Sequence, residues 1–253
     1  MTLISITNSW IQCLCPNPQA RLRLFCFPYA GGGVWNFRTW AEALPKTLEV
    51  YAIALPGRGK RFTETAFTQL APLVDAIASA IIPYLDKSFA FFGHSMGGLV
   101  SFELARLLRR NAQCNPVHLF VSGRRAPQLP ATDKPIHALS DPKFLQEIRR
   151  LNGTPNTVLE NAELMQLMLP TLRADFTLLE TYVYRYEPPL SCPITTFGGL
   201  QDSEVSVEAL EAWCEQTSAT FSLKMLPGDH FFLHFSQFSL MQLIRQELNQ
   251  AIA

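Results

Sequence analysis

Apolar residues in this chain fall into short runs that alternate with longer stretches of helical period. Leu22 to Phe27, Val50 to Leu55, Ser88 to Phe92, Val117 to Ser122, Ile194 to Phe197 and Phe221 to Leu226 are short and mostly apolar. Such runs predict strands buried inside a sheet. Between them, Trp35 to Leu44, Leu70 to Leu85, Leu99 to Arg110, Val207 to Thr217 and about Ser236 to Leu248 have helical spacing. In the second of these, Leu73, Ile77, Ala80, Ile81 and Leu85 share a face, Pro72 fits the first turn and Pro83 marks the last. Strands alternating with helices predict an α/β fold with a mostly parallel central sheet and helices on both faces. Residues 1 to about 20 are polar and irregular and are expected to lie along the surface.

The alternation fails once. Between Ser122 and Pro193, roughly 70 residues contain no convincing strand, whereas a strand–helix–strand unit takes only about 30. Helical spacing predicts segments at Pro142 to Leu151, Asn161 to Met168 and Thr171 to about Tyr184, with Tyr182, Tyr184 and Tyr186 alternating at the end as in extended chain. The interval reads as a helical lid, at about 128–188, inserted into a single domain of residues 1–253. Periodicity does not say which surface a helix meets, so ordinary packing helices are the alternative.

Composition narrows the function classes. With 48% hydrophobic and 17% charged residues the chain suits a globular enzyme with a substantial core. Lys+Arg and Asp+Glu both number 21, so nothing points to nucleic acid and no net field steers a charged substrate. Met1 to Ala20 lacks a basic start with a continuous apolar run, and no stretch is long and apolar enough to span a bilayer. A cytoplasmic monomer away from membranes is expected. The six cysteines show no paired metal spacing. They are expected to be reduced thiols, and no metal or cofactor is expected.

One stretch carries chemistry. Phe91-Phe92-Gly93-His94-Ser95-Met96-Gly97-Gly98 stands between a strand and a helix, the setting in which Gly-x-Ser-x-Gly forms a sharp turn presenting a nucleophile. A serine hydroxyl needs a base, and the base needs an orienting acid. In this architecture they follow in the order serine, acid, histidine at later strand ends. Of five histidines, His230 alone sits in a turn directly after the last strand. His94 adjoins the serine, His118 lies in a strand, His137 starts the insertion and His234 is one helical turn beyond His230. Asp202 follows the preceding strand in a glycine-rich turn, with Glu204 as its nearest rival; Asp175 lies in the insertion and Asp229 adjoins the histidine. Backbone N–H groups of Met96, after the serine, and of Ala30, in the loop Pro28-Tyr29-Ala30-Gly31-Gly32-Gly33, are the candidate oxyanion donors. That glycine run fails both the P-loop and the dinucleotide-binding spacings.

With these positions in hand, the chain resembles the stand-alone type II thioesterases that work beside non-ribosomal peptide and polyketide synthetases. The resemblance rests on Phe27-Pro28-Tyr29-Ala30-Gly31-Gly32, Leu55-Pro56-Gly57-Arg58 with Arg61, and the segment around Ser95. It continues through Ser122-Gly123-Arg124-Arg125-Ala126-Pro127, Leu151-Asn152-Gly153-Thr154-Pro155 and Leu169-Pro170-Thr171-Leu172-Arg173-Ala174-Asp175-Phe176, and closes with Gly198-Gly199, Asp202, Gly228 and His230-Phe231-Phe232. It implies an α/β-hydrolase fold with a mobile helical lid. It further implies that Ser95, His230 and Asp202 hydrolyse acyl groups from the phosphopantetheine thiol of carrier-protein domains, clearing stalled or misprimed carriers. Phosphopantetheine then belongs to the partner, not to this chain. In that setting Leu164, Met168, Leu172 and Phe176 are candidates to line an acyl pocket, or equally the core of the insertion. Arg58, Lys60, Arg61, Arg124 and Arg125 follow strands and are candidates to face an acidic carrier or the arm's phosphate, or equally solvent. The triad alone also suits a general carboxylesterase, a lipase-like enzyme or an acyltransferase, and a fold retained only to bind a synthase is the non-catalytic alternative.

Overall fold

The computed structural model describes residues 8–112, 114–131 and 134–252. Seven strands form one sheet: β1 (Ile11–Cys13), β2 (Leu22–Phe27), β3 (Leu48–Ile53), β4 (Ser88–His94), β5 (His118–Ser122), β6 (Ile194–Gly199) and β7 (Phe221–Leu226). Their order is β1-β3-β2-β4-β5-β6-β7, parallel throughout except that β1 runs antiparallel to β3. The helices are α1 (Trp40–Ala43), α2 (Leu70–Ile81), α3 (Met96–Ala112), α4 (Asp141–Leu151), α5 (Asn156–Leu159), α6 (Ala162–Glu180), α7 (Val207–Glu211), α8 (Phe232–Phe235) and α9 (Gln237–Ile252).

The apolar runs are continuous because each strand is covered twice. The two-residue period of a strand sends successive side chains to opposite faces. Phe25 and Phe27 of β2 and Phe89 and Phe91 of β4 pack with α2 and α3 on one face. Leu22, Leu24 and Cys26, with Ala90 and Phe92, pack with α1 and α9 on the other. The α/β expectation with a mostly parallel sheet therefore holds.

Several boundaries differ from the sequence reading. Of the stretch expected along the surface, residues 1–7 lie outside the described residues, and the remainder contains β1, paired Ile11 to Ile53 along the sheet edge. Trp35 to Leu44 is not one helix. A 3-10 turn at Val34–Phe37 precedes α1, and Phe37 and Trp40 both turn their rings edge-on to Phe92. Likewise α2 stops at Ile81 and tightens into a 3-10 turn carrying Pro83, and α7 gives way to a 3-10 turn at Ala212–Gln216. In the insertion, α5 was not anticipated, and the two helices expected on either side of Pro170 form the single helix α6. Proline deletes one backbone bond of a helix; burial of Thr171, Leu172, Ala174, Asp175 and Leu178 beyond it carries α6 on. Phe144, Ile148, Leu159, Met165 and Leu172 give α4–α6 a cluster of their own, apart from the two flanking the sheet.

A buried histidine in β5 couples this core to pH. The ring of His118 stacks on Phe120 at 4.1 Å and its Nε2 meets Thr195 Oγ1 at 2.9 Å. Burial pushes its pKa down to about 4, against about 6.5 in an unfolded chain. Between those values the unfolded state binds the extra proton, so stability is full above about pH 6.5 and is lost as pH falls toward 4. His118→Gln keeps a polar group toward Thr195 without that liability. Between pH 7 and pH 4, urea unfolding should show the natural protein losing roughly 3 kcal/mol more than the variant. Parallel losses in the two proteins would remove His118 as the cause.

Candidate active site

The sheet order brings the loops after β2 and β4 together. β3 lies on one side of β2 and β4 on the other, so the chain reverses its direction of travel across the sheet here. In open parallel sheets such a reversal leaves a crevice at the carboxyl ends of the strands. Phe27 pairs with Gly93 at the end of the β2–β4 ladder, which sets the Pro28–Gly33 loop beside Ser95.

Ser95 takes up the one residue between β4 and α3 with φ of 50°. An L-residue in this left-handed region is strained, and the surroundings must hold it there. Ser95 N–H donates to Ser122 O at 2.7 Å, and Gly98 N–H donates to Ser95 O at 3.0 Å. The turn is tight enough to exclude side chains: a Cβ on Gly93 would lie 2.1 Å from Gly97 O, and one on Gly97 would lie 2.1 Å from Phe27 O. The pentapeptide is thus glycine at both positions because backbone passes where a methyl would stand.

The loops after β6 and β7 bring the acid and base together. Asp202 Oδ2 accepts from His230 Nδ1 at 2.9 Å, with the carboxylate side chain wholly buried. Its Oδ1 accepts from Glu204 N–H at 2.8 Å and Val205 N–H at 3.2 Å. The rival Glu204 turns away to Arg150, at 2.7 and 3.3 Å. Asp229 is occupied by Phe231 N–H and Asn152 Nδ2. His230 stands 5.1 Å from His94, ring to ring, and a Cβ on Gly123 would touch both imidazoles. Among the described residues no hydrogen bond joins Ser95 Oγ to His230; such bonds are often long until substrate binds.

The other histidines have structural partners. His94 Nδ1 meets Ser122 Oγ at 2.9 Å, while its Nε2 is buried without a partner. Burial first, then the neighbouring rings of His230 and His234, hold its pKa well below the ordinary value. His234 Nε2 meets Tyr29 OH at 3.2 Å, and burial lowers its pKa too. His137 pairs with Glu180 at 2.6 Å.

Met96 is the first residue of α3, where an N–H has no acceptor within its own helix. In the facing loop, Gly32 N–H closes a turn onto Tyr29 O at 2.9 Å and Gly31 N–H donates to Asp175 Oδ2 at 2.7 Å. Ala30 N–H makes no bond to protein among the described residues.

The outer candidates fare differently. Arg58 and Arg61 are engaged within the protein. Arg58 forms a two-pronged pair with Asp175, at 2.7 and 2.8 Å, under α6. Arg61 is buried between Glu64, Ala54 O and the face of Trp10. Unpaired arginines do not sit at such depth, so a contiguous run of loop cations was a misleading sign of exposure. Lys60 stays exposed. Arg124 is half-buried with Nε unpartnered, and burial followed by the nearby Arg125 pushes its pKa down to about 10. Arg125 reaches Pro130 O. Met168 and Phe176 pack around the cluster to which Leu172 belongs, and Leu164 is 42% exposed. The Arg58–Asp175 pair was missed as a unit, although both residues lie in segments that carried the family resemblance.

Comparison with known proteins follows the same outline. The thioesterase domain family model matches residues 22–247. The gramicidin S biosynthesis protein GrsT of Aneurinibacillus migulanus is 49% identical over 253 residues, covering 100% of this chain and 99% of the relative. The solved structure of RedJ, a thioesterase from the prodiginine biosynthetic pathway in Streptomyces coelicolor, is 42% identical with a TM-score of 0.86, covering 90% of this chain and 91% of that one. BorB, the type II thioesterase from the borrelidin biosynthetic cluster, is 34% identical with a TM-score of 0.87, covering 95% and 98%.

Proposed function

Because the chain belongs to the thioesterase family and is a thioester hydrolase, we propose that Ser95, His230 and Asp202 form its catalytic triad and that it unloads acyl groups from the carrier domains of a peptide or polyketide synthetase. The observation that carries the triad is the strained Ser95 turn beside a His230 ring held by the buried Asp202 carboxylate. The carrier assignment is supported by the biosynthetic roles of RedJ, BorB and GrsT.

Ser95 Oγ attacks the thioester carbonyl while His230 Nε2 takes its proton. Asp202 holds Nδ1–H and stabilises the imidazolium. The carbonyl oxygen, now negative, is met by the N–H groups of Met96 and Ala30. The phosphopantetheine thiol leaves, and water activated by His230 releases the free acid and restores Ser95. The scheme uses no metal or cofactor of the enzyme's own. The helices α4–α6 act as the lid over this site, and a cytoplasmic monomer working on a separate carrier protein fits the scheme. No described helix is long and apolar enough to cross a membrane.

Matched substrates test the assignment. Incubated with acyl-loaded carrier protein, the enzyme should return the carrier to its free-thiol mass. Matched acyl thioesters should turn over roughly tenfold or more faster than oxyesters, the thiolate being the better leaving group; leaving-group discrimination of this size is within ordinary specificity. Equal or faster oxyester hydrolysis with untouched acyl-carrier would favour a general esterase.

A further inference from the structure

We propose that His94 is a positioning residue for the acyl-transfer step: its buried ring is the support that keeps the His230 imidazole turned toward Ser95. The proposal rests on the reading of Ser95 and His230 given above and extends it to a residue that acts through the base.

A single hydrogen bond does not fix a ring. Asp202 Oδ2 holds His230 Nδ1 at 2.9 Å, but an imidazole can swing about such a bond and carry Nε2 away from the serine. A catalytic group needs a second contact to hold its direction. His94 supplies one, with its ring centre 5.1 Å from that of His230. A Cβ on Gly123 would stand 2.7 Å from His94 Cε1 and 3.2 Å from His230 Cε1. Gly123, with φ of 56°, is thus the point where both imidazoles close on the backbone.

His94 is itself firmly held. It is fully buried, and the rings of Tyr29, Phe231 and Phe232 pack at 5.7, 5.7 and 5.8 Å from its own. Its Nδ1 meets Ser122 Oγ at 2.9 Å, and Ser122 O accepts Ser95 N–H at 2.7 Å. Ser122 therefore fixes both the backbone of the nucleophile and the ring against which the base rests. His94 and Ser95 are consecutive in the chain, so the placement of His230 relative to Ser95 is set through the turn that carries the serine.

Packing alone would not select a polar ring here. His94 Nε2 is buried with no hydrogen-bond partner among the described residues, and an orphaned polar atom of this kind costs stability. Burial, then the neighbouring rings of His230 and His234, keep His94 neutral, although the backbone of His230 favours its proton. His230 becomes a cation when it takes the Ser95 proton. A second cation at this separation would oppose that step, whereas a neutral ring supports the imidazole without opposing its charge.

The test uses full-length enzyme with the triad unchanged. His94→Asn keeps a polar group toward Ser122 but is too short to support His230. It should lower kcat on an acyl thioester by roughly 10- to 100-fold with KM within about threefold, the scale of a small misplacement of a catalytic group. Inactivation of Ser95 by a fluorophosphonate, which also needs the base, should slow by the same factor. Affinity for an unreactive thioether analogue should hold. Gly123→Ala presses a methyl between the two rings without altering either, and should also lower kcat. His94→Phe combined with Ser122→Ala restores a ring and leaves no orphaned hydroxyl, and should retain more kcat than His94→Asn. In a His230→Ala background, His94→Asn should change the residual rate by less than about twofold, because residues that act as one unit are not additive. The proposal is overturned if His94→Asn keeps kcat within about threefold of the natural enzyme, or costs as much without His230 as with it. Thioether affinity falling in step with kcat, or a ring variant no better than asparagine, would overturn it as well. Where His94→Asn does not fold, unchanged kcat in Gly123→Ala overturns it instead. Failure of the underlying reading shows separately, as turnover surviving in Ser95→Ala.

Discussion

Ser95→Ala should lose at least about 10⁴-fold in kcat, the scale seen when the nucleophile of a serine triad is removed, while folding as the natural chain does. Both halves of that expectation come from the turn. The side chain of Ser95 makes no hydrogen bond to the described residues, so its hydroxyl supports chemistry and not the fold. Alanine keeps the Cβ, so the strain at φ of 50° is unchanged. The melting curve should therefore be superimposable within the scatter of ordinary surface substitutions, roughly 0.5 kcal/mol. The neighbouring hydroxyl of Ser122 is no substitute, since its Oγ is tied to His94 Nδ1 at 2.9 Å. Intact-mass measurement during turnover gives an independent reading, since an acyl adduct should accumulate on the natural enzyme with a slow substrate and never on the variant. Turnover within tenfold of the natural enzyme would remove Ser95 from the mechanism.

How far the chain could be read in advance depended on whether a feature was local. The sheet was legible because strands covered on both faces print themselves as apolar runs, and β2, β4 and β5 were found within two residues of their ends. β1 was not, because three residues at an edge make no pattern long enough to count. α6 was read as two helices because Pro170 ordinarily ends one; what carries it through is the contact of Thr171, Leu172 and Asp175 with loops more than a hundred residues earlier. The candidate triad was legible for the opposite reason. Each member stands at the end of a strand, and strand ends are marked in sequence by glycine turns. The Arg58–Asp175 pair joins residues 117 apart. Only the folded sheet brings them together, and read alone Arg58 was one cation in a loop with Lys60 and Arg61.

Asp202→Asn should lower kcat by about 10³- to 10⁴-fold without unfolding the protein, through the tautomer of His230. The carboxylate has two unlike oxygens. Oδ1 accepts two backbone N–H groups, from Glu204 and Val205, so an asparagine at this position must keep its carbonyl oxygen there. Its NH2 group then takes the place of Oδ2 and presents a donor to His230 Nδ1, which now lies 2.9 Å from an acceptor. The imidazole resolves this by moving its proton to Nε2. A protonated Nε2 has no lone pair for the Ser95 hydroxyl, so the base is switched off with its position unchanged. Because the substitution preserves shape and both backbone bonds, stability should change far less than activity, and thermal melting beside steady-state rates would show the split. Glu204→Gln is the control. That carboxylate lies against Arg150 and is partly open to solvent, and its loss should change kcat by less than about threefold, as for a screened ion pair away from the reacting atoms. Should Asp202→Asn cost less than tenfold while Glu204→Gln costs more, the orienting acid would be Glu204, and the loop after β6 would have to rearrange when substrate binds.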